Sequence, residues 1–532
     1  MFVEQGAYQS LEIAKTLSLI SKLCRSELGV MAARETEPAS DMAELKKRHE
    51  LYSSVEAYRE KKGELPWQSG IAPVSPFLAE ADETGIMTGE ELLKARVLLS
   101  LAMKIKERLV SERETYPAFS FIIKDIRDFA EEITALEVID DDGRIYDCAS
   151  DKLREVRAEI RTVRETIRRK AHAILNSPGI ASMLQERVLA LRNGRHAFLV
   201  RQDAISTFPG IAVDRSGSGN SVYMEPHSLI MLNNTFTSCR SAELHEEQKI
   251  LRELTAKLLK RSKGVLDAED VLGKLDLFYA LSEKTRTERW KLPKLSAKKM
   301  FSFKNAKHPL LFGRAVPIDI SCGEKFRILV VTGPNTGGKT VALKTAGVCT
   351  ILAWMGFPIP AAEDSCVGDI GEIFADIGVE QSIEQSLSTF SAHVNHITDI
   401  LQKVTDRSVV MLDELGAGTD PEEGAALGIA LLDWLKTKGA LVLATTHHNP
   451  IKRFALITEN IETASVEFNT ATLSPTYRIL IGIPGRSNAL LIAGKLGMPR
   501  EIIARAEEAI SGSEISMEDL IGELHEKRGA LE

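Results

Sequence analysis

Apolar side chains at Leu153, Val156, Ile160, Val163, Ile167 and Ile174 recur at steps of three, four, three, four and seven. That spacing keeps one stripe of a helix apolar, and about three heptads of it predict a coiled coil or a long helical hairpin. A second stripe follows at Leu244, Leu251, Leu254, Leu258 and Val265. Between the stripes the period falls to two. VLALRNGRHAFLV (Val188–Val200) centres on Asn193-Gly194, the dipeptide best suited to a two-residue hairpin turn. FPGIAVDRSGSGNSVYMEP (Phe208–Pro226) continues with strands around a Gly/Ser turn. The pattern predicts an outgoing helix over 136–187, a small β-rich tip over 188–237, and a returning helix and core over 238–295. Residues 1–135 read as a helical core, with ELLKARVLLSLAMKIKERL (Glu91–Leu109) as one of its stretches.

From about residue 296 the pattern changes again. FRILVVT (Phe326–Thr332), SVVMLDE (Ser408–Glu414) and ALVLATT (Ala440–Thr446) are short apolar runs separated by helical patterns. They predict a largely parallel sheet over 296–511. A charged helix is expected to begin over 512–532. The expected fold class is therefore multidomain: a helical core with a long coiled-coil arm and a small β-rich tip, then an α/β domain.

Composition narrows the class. The chain has 532 residues, 44% apolar and 27% charged, and a formal net charge of −8. At about 100–200 residues per domain this allows three or four globular domains. The six cysteines are scattered and form no C-x-x-C pair, which speaks against a zinc ribbon or disulfide frame and fits a reducing cytoplasm. The first residues carry no basic, apolar signal segment. The longest uncharged run, Thr345–Ala362, is interrupted by Gly347, Gly356, Pro358 and Pro360. It is expected to be a buried core helix, and no membrane partner is expected. The acidic total leaves room for a local basic strip. Arg154, Arg157, Arg161, Arg164, Arg168, Arg169 and Lys170 interleave with Asp151, Glu155, Glu159 and Glu165. They form either a solvated face of i,i+4 pairs or a strip that contacts phosphates.

The chemistry-bearing motifs lie in the α/β region. GPNTGGKT, comprising Gly333, Pro334, Asn335, Thr336, Gly337, Gly338, Lys339 and Thr340, fits G-x-x-x-x-G-K-[ST] between an expected strand and an expected helix. Its glycines let backbone N–H groups wrap phosphate oxygens. Lys339 would reach the β- and γ-phosphates of ATP, and Thr340 would ligate Mg²⁺. At the end of the next apolar strand, Asp413 would hold the Mg²⁺ shell and Glu414 would polarise the attacking water. LATTHHNP places His447 at another strand end, where it can sense a γ-phosphate; His448 beside it reads as a plain loop residue. His393 and His396 stand at i,i+3, but no acidic or cysteine partner lies near them at ligand spacing, so a structural role is expected. GAGTDPEEG (Gly416–Gly424) reads as a tight loop at the ligand edge of the sheet.

GPNTGGKT, the polar run QSIEQSLSTFSAHV (Gln381–Val394), LDELGAGTDPEEG and TTHH stand in the order and spacing of the MutS family ATPase. KHPLL (Lys307–Leu311), SVEFNTATLSPTYRILIGIPGRSNA (Ser465–Ala489), and ALRNGRHAFLV with FPGIAVDRSGSGNSVYMEP resemble its shorter, type-two branch, and the likeness covers nearly the whole chain. The resemblance implies an ABC-like P-loop ATPase that works as a homodimer. In it, Ser388 and Thr389 would meet the γ-phosphate bound by the partner. Ser386 and Leu387 stand where mismatch-repair members carry Gly-Arg, so that contact lacks an arginine. The mismatch-reading domain is not expected, and the triplets Phe2-Val3-Glu4 and Phe129-Ala130-Glu131 read as chance matches to its wedge. Type-two members continue into a coiled coil and an Smr nuclease-like domain. These residues do not resemble that domain, so nuclease activity is not expected from them. The resemblance implies an ATPase clamp on branched DNA that suppresses homologous recombination, or alternatively one that contacts ribosomal RNA and splits collided ribosomes. An SMC-like ATPase fits badly, since LSGGQ is missing and no coiled coil fits between Lys339 and Asp413.

Overall fold

The computed structural model describes residues 1–67, 70–215, 221–311, 313–333, 338–378, 389–469, 474–483, 490, 493–494 and 497–509. The helix expected over 512–532 lies outside them. The chain divides into two compact units. One comprises Met1–Leu65, Arg108–Lys124 and Val271–Glu532; the other comprises Pro66–Glu107 and Asp125–Asp270.

The first unit is built on a seven-stranded sheet. From edge to edge it runs Phe2–Val3, Glu372–Asp376, Ser408–Leu412, Leu441–Thr445, Ile328–Thr332, Ile461–Asn469 and Ser474–Ile481. Every pairing is parallel except the last. The three apolar runs of the sequence become the three central strands, and each is buried at all five positions. Strands covered on both faces have no polar side to alternate with, which is why they read as continuous apolar runs. Phe2–Val3 is the member that periodicity does not predict. Two residues are too few to show a period, and the strand exists only because Glu372–Ile373 offers it a parallel edge.

Helix Lys339–Trp354 is buried at Lys339, Ala342 and Leu343 and at every position from Thr345 to Trp354. A helix apolar on all sides belongs inside a core. Among the described residues no helix is long and apolar enough to cross a membrane. Gly347 does not break this helix as the sequence pattern implies. A Cβ there would lie 2.7 Å from Leu11 Cδ2 and 3.0 Å from Met411 Sδ, so glycine admits a close neighbour. The helix stops at Trp354, and Gly356 follows with φ of +83°. On the other face, helices Thr389–Lys403, Pro421–Lys438 and Asn449–Ile457 cover the sheet with Ile400, Leu431, Leu432, Leu435 and Ile451. A four-stranded sheet, ordered Lys294–Leu295, Cys366–Val367, Phe301–Ala306 and Ile318–Cys322, completes this unit.

In the second unit, Ser150 caps helix Asp151–Leu175 by accepting the Leu153 N–H at 3.0 Å. Leu153, Val156, Ile160, Val163, Ile167 and Ala171 are its buried stripe. Of the expected second stripe, Leu254, Leu258 and Val265 are buried, but Leu244 is not, and the contact with the first stripe is made further upstream. Helix His227–Leu259 begins eleven residues before 238, and it meets Val156, Ile160, Val163 and Ile167 through Leu229, Phe236 and Cys239. Leu244 is 57% exposed. The apolar spacing of the expected second stripe is real, but the contact with the first stripe is made by Cys239 and by Leu229 and Phe236, which fall within the expected β-rich tip. An antiparallel sheet ordered Leu184–Arg192, Arg195–Arg201, Ser221–Pro226 and Gly210–Arg215 lies between the two helices in sequence. Asn193 and Gly194 turn its first hairpin with φ of +49° and +74°.

The packing at Gly347 yields a direct expectation. Gly347→Val forces side chain into Leu11 and Met411, an overpacking that costs about 1–3 kcal/mol. The variant should unfold at a lower temperature than the parent chain, measured by circular dichroism; an unchanged midpoint would show that this contact yields freely.

Candidate functional site

The carboxyl ends of the parallel strands gather the polar residues. Strand Ile328–Thr332 leaves the core at Gly333, whose φ of +127° is a conformation that side chains rarely adopt. Gly338 has φ of +87° and caps the following helix. A Cβ on Gly338 would lie 3.0 Å from the ring of Tyr477, an exposed residue with φ of +62° that sequence reasoning did not single out. Pro334, Asn335, Thr336 and Gly337 lie outside the described residues. Lys339 is 3% exposed, and its ammonium donates to the Gly333 carbonyl at 2.6 Å. Burial lowers its pKa, against the pull of Asp413 and Glu414.

Two motifs that are distant in sequence meet directly here. The Thr340 hydroxyl donates to Asp413 Oδ2 at 2.7 Å. Asp413 Oδ1 accepts from the Thr445 hydroxyl at 2.5 Å, and the same hydroxyl accepts the Glu414 N–H at 2.8 Å. Glu414 holds φ of +50°, which is costly for a residue with a side chain. The fully buried Thr445 offsets that cost. Its hydroxyl and carbonyl bind two successive N–H groups of the turn, since Leu415 N–H donates to Thr445 O at 2.8 Å. Thr446 continues the stitching by donating to Leu415 O at 3.0 Å. Both threonines lie in the TTHH motif, but their roles are not readable there, because the groups they bind stand beyond the neighbouring strand.

His447 is exposed at the end of strand Leu441–Thr445. Partial burial and the adjacent His448 lower its pKa, while Glu414 raises it and Lys339 lowers it. The structure thus brings His447 within electrostatic reach of Lys339 and Glu414. The two histidine rings lie 4.3 Å apart, and His448 Nε2 is buried with no hydrogen-bond partner among the described residues. Asp420 caps helix Pro421–Lys438 by accepting from Glu422 and Glu423 N–H, so the loop expected over Gly416–Gly424 ends at Asp420 and its last four residues open the helix.

Ser388 lies outside the described residues. Of Thr389, only its place as the first residue of helix Thr389–Lys403 is described. His393 and His396, one and two turns into that helix, do have acidic partners. Asp376 binds both and Glu4 binds His396. Both carboxylates are far from the histidines in sequence or lie across an undescribed stretch, so no ligand spacing could reveal them. A cavity of about 740 Å³ is lined by Thr340, Asp413 and Glu414 on one side and by Asp376, His393 and Ile397 on another.

The residues present suit a magnesium nucleotide. A hydroxyl and a carboxylate oxygen are hard donors, and Mg²⁺ commonly takes one or two such ligands with the rest from phosphate and water. Among the described residues no group of three or more His, Cys, Asp or Glu side chains could hold an ion unaided.

The basic strip of the second unit divides in two. Arg157 donates to Asp147 at 2.7 Å, Glu243 at 2.9 Å and Glu247 at 2.6 Å, and Arg161 binds Asp147 at 2.9 Å. These guanidiniums are held by their own unit. Arg168, Arg169 and Lys170 are exposed.

A family model described as MutS domain V matches residues 329–514. Over 536 residues the chain is 38% identical to Endonuclease MutS2 of Geobacillus thermodenitrificans, covering 100% of this chain and 68% of that protein. It is 37% identical over 541 residues to Endonuclease MutS2 of Alkaliphilus oremlandii, with 100% and 68% covered. The protein of the same name from Halothermothrix orenii is 36% identical over 542 residues, with the same coverage.

The Thr445 hydroxyl gives the site its own test. Thr445→Val leaves Asp413 Oδ1 and Glu414 N–H without that hydroxyl, and losses of supporting contacts of this kind cost about 10–100-fold in metal affinity or activity. The Mg²⁺ concentration that half-saturates ATP hydrolysis should rise by that order, or turnover should fall by it, in a Mg²⁺ titration at fixed ATP.

Proposed function

The chain belongs to the MutS2 family, and from that membership we propose that it is a Mg²⁺-dependent ATPase, a homodimeric clamp that binds branched or structured DNA and restrains homologous recombination. The observation that carries the ATPase is the 2.7 Å contact of Thr340 with Asp413, beside the buried Lys339. In this reading Gly333 to Thr340 wraps the phosphates of ATP, and Lys339 supplies the cation that meets the β- and γ-phosphates. Thr340 and Asp413 would hold Mg²⁺, which would supply neutralisation of phosphate charge. Glu414 orients the attacking water and accepts its proton, and His447 contacts the γ-phosphate end. The endonuclease named for the relatives is assigned to no residue here.

Ser388 and Thr389 complete the ATP site of a second subunit. Supporting this is the place of Ser388-Thr389 between the phosphate loop and Asp413-Glu414 in the family's order of motifs, and a neutral hydroxyl can donate to a phosphate oxygen. The exposed Arg168, Arg169 and Lys170 are the proposed phosphate contacts on nucleic acid. All six cysteines are unpaired, which suits the cytoplasm. The alternative is the same clamp acting on ribosomal RNA to split collided ribosomes.

Two experiments test the reading. ATP hydrolysis should be stimulated by four-way DNA junctions more than by purified collided ribosomes at matched salt; stimulation by ribosomes alone would replace the recombination reading with the alternative. Ser388→Ala and Lys339→Ala proteins should each be inactive alone, and mixing them should restore measurable turnover. A mixed dimer then holds one site with an intact phosphate loop and an intact serine from the other chain. Failure to recover activity in verified mixed dimers would overturn the contact across the interface.

A further inference from the structure

Asp376 ends the strand Glu372–Asp376 and is 4% exposed. Its carboxylate accepts from two imidazoles, His393 Nδ1 at 2.8 Å and His396 Nδ1 at 3.0 Å. A carboxylate can only accept, so each Nδ1 carries its proton. His396 Nε2 also faces a carboxylate, Glu4 Oε1 at 3.1 Å, so both nitrogens of that ring donate. The contact with Asp376 raises the pKa of His396 to about 9, which agrees with a ring protonated on both sides. Gly6 leaves room for this ring, since a Cβ there would lie 3.2 Å from His396 Nε2.

The other half of Asp376 points to the proposed ATP site. Its main-chain carbonyl accepts the Asp413 N–H at 2.9 Å. His393 and Asp376 also line the same cavity as Thr340, Asp413 and Glu414. Burying a carboxylate is expensive, and an apolar residue would join strand to helix at lower cost. The arrangement therefore makes sense where orientation matters. It joins the first turns of helix Thr389–Lys403 to the strand end that carries Asp413.

We propose that Asp376 is a positioning residue of the ATP site. Its carboxylate orients the helix that begins at Thr389 while its carbonyl holds Asp413, so the segment that meets a second copy's nucleotide is tied to this chain's own metal-holding residue. Glu4 adds the amino-terminal edge strand to the joint. The inference rests on the ATPase reading above. Phosphate-loop binding of nucleotide does not pass through Asp376; alignment for hydrolysis does.

The test uses the full chain and its Asp376→Asn variant, with ATP turnover and binding of a fluorescent non-hydrolysable ATP analogue measured together. The variant should bind the analogue within about twofold of the parent, while kcat falls by about tenfold to a hundredfold, the size expected of misplacement remote from the reacting atoms. His393→Asn, at a half-exposed position, should show the same split, and the double variant should lose little beyond either single one. It stands in for Asp376→Asn if that protein does not fold. Unchanged kcat in a folded variant, or analogue affinity falling in step with kcat, would overturn the positioning role. A parent chain with no Mg²⁺-dependent hydrolysis would instead remove the ATPase reading, and this inference with it.

Discussion

The structure of the first unit depends on one constraint: parallel strands covered on both faces can hold polar chemistry only where they end. Ile328–Thr332, Ser408–Leu412 and Leu441–Thr445 have no exposed face, so between their ends their side chains are apolar and serve to pack. The chain becomes polar at the carboxyl edge, and four neighbouring strands become polar there together. Gly333, Asp376, Asp413 and Thr445 with His447 are the first residues able to meet a ligand. An open parallel sheet places its ligand site at that edge as a general rule.

At that edge, buried and half-buried polar groups are satisfied by one another. Thr340 and Thr445 occupy the two oxygens of Asp413, and His393 and His396 occupy those of Asp376. A carboxylate as deeply buried as Asp376, left unpaired, would lose several kcal/mol of hydration without return, by the usual cost of burying charge. The pairings therefore stabilise the geometry and also fix it. The strained turn at Glu414 persists because Thr445 supplies two acceptors that only that turn can reach.

The legible part of the site was local. G-x-x-x-x-G-K-[ST] concentrates its chemistry in eight consecutive residues, and Asp413-Glu414 follows an apolar run without a gap. The two-residue hairpin turn at Asn193-Gly194 is local too, since the backbone angles depend on those residues themselves. The histidine pair shows where such reading stops. His396 and Glu4 are separated by 392 positions, and nothing in either neighbourhood announces the other. The second helical stripe shows a subtler limit: Leu244 has the right spacing yet faces solvent, because the partner helix is met by Leu229, Phe236 and Cys239. Spacing defines a face of a helix, but the neighbour selects which face is used.

Charge obeys the same division. Arg157 and Arg168 look alike along the strip, but Arg157 is enclosed by Asp147, Glu243 and Glu247 while Arg168 is exposed. The sequence by itself determined the alternation of helix and strand, the parallel α/β class and the phosphate-loop chemistry, because each depends on residues within a turn or two of one another. Only the tertiary structure decided which stripe packs, which arginines stay available, and that Thr445, Asp376 and Glu4 serve the site. Those roles come from hydrogen bonds that reach about 3 Å through space between groups that are far apart along the chain.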